Sequence, residues 1–184
     1  MFGSHKRDGK NAGIQVRNTF ASVALGSRVF EFGVGFVPPP DFFEHPYVLG
    51  FSTMNFALMR DYVFGGRVWK PEKSGEYMMA AFQEFTGCGQ NLDKNLLIDQ
   101  INYHRGTTLF TIGQNHAEVD FGAVMGILKD SDNDPIVLAA RKMAQGLPDM
   151  SAMAGGKPDR NAGFKYAVLQ LTVKEFLLEN YPSQ

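Results

Sequence analysis

His116 and Asp120 stand four residues apart in "NHAEVDF", a spacing that sets an imidazole and a carboxylate on one face of a helix. Such a pair can supply two metal ligands, or a base with its orienting acid. A third ligand would come from His45, Glu44 or His104. Asn115 and Glu118 have capping-box spacing, which predicts a helix from Asn115 to about Lys129. A helix N-terminus favours neutral His116, the form that binds metal. The competing reading is structural, with Glu118 and Asp120 complementing the helix dipole. His104 falls in line with Leu97 and Ile101, where a histidine serves either as a core donor or as a haem ligand in a Phe-rich pocket.

Asp130, Asp132 and Asp134 alternate as the first half of a calcium loop does. Counted from Asp130, however, the glycine position is Pro135 and the position of the bidentate glutamate is Arg141. The run is therefore read as a turn between helices, with Asp134 as cap. Cys88 follows a predicted helix C-terminus, whose partial charge disfavours a thiolate. No glycine-rich run has the strand–loop–helix setting of a phosphate loop.

"FVPPPDFFEHPY" joins a stiff proline segment to Phe42, Phe43 and Tyr47. Large rings on a preorganised segment lose little entropy on docking, so these three are the candidate interface residues. The alternative is a connector whose rings fold onto the chain's own core.

The elements that must position these residues are helical. Pro46 opens a helix running to about Phe64, where Gly65-Gly66 stops it, and Pro71 opens another that ends at Gly87. A third is expected from Leu92 to about Phe110, and Asp134-Pro135 opens one that ends at Gly146. The last, about 162–180, carries apolar residues on two sides: Phe164, Val168, Leu171 and Leu178, then Leu169, Val173 and Phe176. That two-sided character suits burial among helices or docking against a second subunit. Residues 1–13 read as a loose polar arm and residues 14–184 as one helical domain, with 14–36 open between helix and a small β-hairpin. The fold class is all-α, a compact bundle of five or six helices.

The 184 residues are 44% hydrophobic and include sixteen Phe, enough for a ring-built core. A formal net charge of −1 gives no reason to expect nucleic acid as partner, and no apolar run is long enough to cross a bilayer. One cysteine fits a reducing compartment, and a cytoplasmic protein is expected. No catalytic constellation is complete, which leaves whether the chain is an enzyme open. The functional expectation is association with a protein partner, foremost a second copy. The alternative is a metal- or haem-binding helical protein using His116 with Asp120, or His104.

Overall fold

The computed structural model describes residues 4–27, 38–39, 41–128, 133–150 and 159–181. Among the described residues there is no strand, and the fold is all-α. The elements are α1 (Ser4–Ser27), α2 (Pro46–Leu58), α3 (Pro71–Thr86), α4 (Lys94–His104), α5 (Thr108–Met125) and α6 (Pro135–Gln145). Then come α7 (Ala162–Leu169), a π turn (Gln170–Lys174) and α8 (Glu175–Asn180). The chain divides into two compact units where the sequence suggested one domain. One unit comprises residues 1–21 and 38–117, the other residues 22–37 and 118–184.

In the first unit, the sixteen-Phe composition resolves into an aromatic core. Phe20 meets Phe42 and Phe51 edge-on, each at a centroid distance of 5.2 Å, and Phe56 meets Phe82 at 5.0 Å. Edge-to-face contacts of this kind add to the area that each ring buries. Glycines bring the helix backbones together around this core. A Cβ on Gly9 or Gly13 of α1 would overlap the carbonyl oxygen of Tyr77 or Ala81 in α3. Gly50 of α2 and Gly113 of α5 are reciprocal: the first abuts the Phe110 carbonyl, the second the Tyr47 carbonyl.

These contacts overturn the expected loose arm. Residues 4–13 are helical, and Ala12 is fully buried. Glycines that suggested a flexible segment are the points where α1 touches α3. Residues 14–27 continue that helix, while residues 28–36, the remainder of the candidate hairpin, lie outside the described residues.

The expected helix from Leu92 to Phe110 is two helices. Gly106 takes a left-handed φ of 86°, and Thr107 then caps the next helix, its Oγ1 accepting from Phe110 N at 3.4 Å. Asp93 caps α4, with Oδ1 accepting from Asn95 N at 2.8 Å. Because α5 starts at Thr108, Asn115 is an interior residue and no capping box forms there.

The second unit has a smaller aliphatic core of Val119, Ala123, Val137, Ala140, Ala167 and Val168. Asp134 caps α6 as expected, its Oδ1 accepting from Ile136 N at 2.8 Å and Val137 N at 3.2 Å. Asp134→Ala is expected to cost about 1 kcal/mol of stability in denaturant unfolding, and Asp134→Asn much less. Equal losses in the two variants would exclude the cap as the cause.

The final helix is not two-sided. Its buried residues are Ala167 and Val168, then Thr172 and Val173, then Phe176 and Leu177. The step of five from Val168 to Val173 spans the π turn, whose wider winding keeps one face inward. Two apolar sides in regular α numbering are one face with a residue inserted. A second π turn, Met59–Val63, ends α2 and shifts its face likewise. Tyr62, in this turn, is exposed.

Candidate functional site

Tyr47, fully buried near the start of α2, links two histidines. Its backbone N–H donates to His45 Nδ1 at 3.2 Å, which caps α2. Its hydroxyl is hydrogen-bonded to His116 Nδ1 at 3.0 Å, and the two rings stand edge-on at 5.5 Å. One nitrogen of His116 is therefore engaged by a phenol sixty-nine residues earlier in the chain. His116 also sits in the third turn of α5, so the favourable field of a helix N-terminus does not act on it.

Asp120 is 6% exposed. Burial raises its carboxyl from the ordinary value of 3.8 to about 7, since the low-dielectric surroundings disfavour the anion. A carboxyl held near neutrality is a poor fixed ligand and a good proton carrier. Among the described residues, no three His, Cys, Asp or Glu side chains gather as a metal site would require.

His104 is half-buried at the end of α4, edge-on to Tyr103 at 4.9 Å. Its carbonyl accepts from Thr107 N and Thr107 Oγ1 in the turn leading to α5. The position is the corner of a helix–turn–helix connection, and the ring against it is that of Tyr103. Cys88 is exposed, after the left-handed Gly87 that ends α3.

Of the three candidate interface rings, two lie in the core and Phe43 is half-buried. Phe42 and Tyr47 are buried, and Phe43 packs edge-on against Phe85 at 5.1 Å. The proline segment aims its rings inward, onto Phe20, Phe51 and Phe85.

A further polar cluster surrounds Tyr77. Its hydroxyl donates to the Phe56 carbonyl at 3.0 Å, and Trp69 and Phe64 lie against its ring. Burial pushes this phenol above its ordinary range; Arg60 opposes the shift, and Asp8 and Asp61 add to it. The phenol remains protonated and acts as a structural donor. Arg60 Nε donates to Asp61 Oδ1 at 2.7 Å on the neighbouring π turn. His5 packs on Trp69 at 5.2 Å, and among the described residues its buried Nδ1 has no hydrogen-bond partner. The single Trp was the one sequence signal for this cluster, because its members come from three separate segments.

α4 shows the least complete burial. Of its five large apolar side chains, only Leu97 is buried, while Leu96, Ile98 and Tyr103 are 56%, 41% and 81% exposed. Leu96 and Tyr103, seven residues apart, lie along one line of the helix.

The chain matches no protein-family model, no curated protein and no solved structure. No described helix is long and apolar enough to cross a membrane.

Proposed function

We propose that this protein works by protein–protein association, with a second copy of the chain as its partner. The observation that carries this reading is the exposure of Leu96, Ile98 and Tyr103 on α4. A helix of eleven residues is marginal alone and owes its stability to tertiary packing. α4 buries one large side chain and presents three to solvent, so association completes the packing that the monomer leaves undone. Full burial of a side chain of this size stabilises by about 1.5–3 kcal/mol.

Sedimentation velocity on the full chain tests the proposal. Concentration-dependent association is expected, and Leu96→Lys with Tyr103→Glu should weaken it about 30-fold, equivalent to about 2 kcal/mol. The melting temperature at low concentration should hardly change, because neither side chain is in the core. A monomer at every concentration would refute self-association, and a dimer indifferent to both substitutions would move the interface off α4.

A further inference from the structure

The first unit carries a groove of about 1000 Å³ between α1 and α3, lined also by Lys94, the first residue of α4. Its two walls carry opposite charge. Lys6 and Lys10 stand on α1, and Glu72 and Glu76 on α3. All four are exposed, and among the described residues none of them forms an ion pair. Each pair is spaced by four residues, which gives both rows the same rise of about 6 Å. On the α3 side the groove is shallow and partly apolar, with Gly75, Met79 and Ala80 along it. A Cβ on Gly75 would touch nothing within 4 Å, so this stretch of α3 backbone lies open to an approaching element.

We infer that this groove docks a second copy of the chain, α3 of each copy lying in the α1–α3 groove of the other about a two-fold axis. The inference rests on the self-association reading above and adds to the α4 surface a second one that adjoins it. A two-fold interface must be self-complementary. Here one patch carries both signs at one pitch, so Glu72 and Glu76 of each copy meet Lys6 and Lys10 of the other in register. The bare backbone at Gly75 lets the two α3 helices approach closely, and the half-buried Met79 supplies the apolar contact. A partner of single sign, such as a nucleic acid or an anionic bilayer, would match one wall and be repelled by the other. Rim charges of this sort set register and partner choice more than affinity. Lys94 makes the groove continuous with the start of α4, two residues before the exposed Leu96.

Charge reversal on the full chain tests this. Sedimentation velocity at low and high salt would compare wild type, Lys6→Glu with Lys10→Glu, Glu72→Lys with Glu76→Lys, and the fourfold swap. Each double reversal should weaken association about tenfold at low salt, and the swap should restore it to within about threefold of wild type. A wild-type monomer at all concentrations would overturn both the self-association reading and this inference. A dimer unmoved by either reversal, or a swap that fails to restore it, would overturn the groove alone and leave self-association standing. Should a reversed variant not fold, Gly75→Tyr gives a separate reading: loss of dimer supports the groove, and a persisting dimer overturns it.

Discussion

A single methyl group at Gly113 is expected to lower the melting temperature by about 4–8 °C. Alanine normally stabilises an interior helical position by about 1 kcal/mol over glycine. At Gly113 the new Cβ would overlap the Tyr47 carbonyl oxygen and stand 2.9 Å from Phe51 N. Both are backbone atoms, so no rotamer change relieves the contact and α2 must move off α5. Overpacking of that kind costs about 3 kcal/mol, and a net loss of about 2 kcal/mol remains after the helical gain. Gly50→Ala should behave alike against Phe110. The double variant should lose less than the sum, because separating the helices for one clash relieves the other. Gly75→Ala, measured where the chain is monomeric, is the internal control: within one copy its Cβ meets nothing, so the same substitution should stabilise by up to about 1 kcal/mol. Thermal unfolding of the four variants decides the matter. Stabilisation at Gly113 would show that the helices are not held at backbone contact.

The second large effect depends on pH. Burial raises the Asp120 carboxyl from 3.8 to about 7 in the folded chain. Between those values the folded chain holds a proton that the unfolded chain has released. The associated stability is complete below about pH 4, declines as pH rises and is gone above pH 7. Asp120→Asn removes this dependence. It should be near neutral at pH 4 and stabilising at pH 8, by up to about 4 kcal/mol for a shift of about three units. Chemical denaturation of both proteins from pH 4 to pH 8 measures the difference. Parallel curves would show that Asp120 is ionised in the folded state across that range.

Punctuation was the legible part of this sequence. Pro46, Pro71 and Asp134-Pro135 start helices, and Gly87 stops one, because each acts on its own few residues. Gly106 divides the helix expected from Leu92 to Phe110, since a left-handed φ is not written in composition. The helix at residues 4–13 is hard to read from sequence for a related reason. Glycine raises chain entropy in isolation, yet at Gly9 and Gly13 it is the residue that lets α1 sit on α3. The site was less legible than the fold. Helical spacing put His116 and Asp120 on one face, but the hydroxyl that engages His116 comes from Tyr47, and a carboxylate spelled as a ligand is buried. Long-range contact decides both, and period alone carries no such information. The rings of Phe42 and Tyr47 show the same limit: a proline-stiffened aromatic segment reads alike whether it faces outward or inward.

The π turn at Gln170–Lys174 also has an electrostatic consequence. In an unbroken α-helix, the residues seven and eleven after Val168 share its face, and they are Glu175 and Glu179. Both are exposed, and Phe176 and Leu177 are buried in their stead. One surplus residue thus keeps two carboxylates in water and delivers an aromatic and an aliphatic side chain to the interior. Excising a single residue there would place Phe176 seven residues after Val168, so that an unbroken α-helix would bury the same side chains; regular α winding with all five residues kept would turn the glutamates to the core.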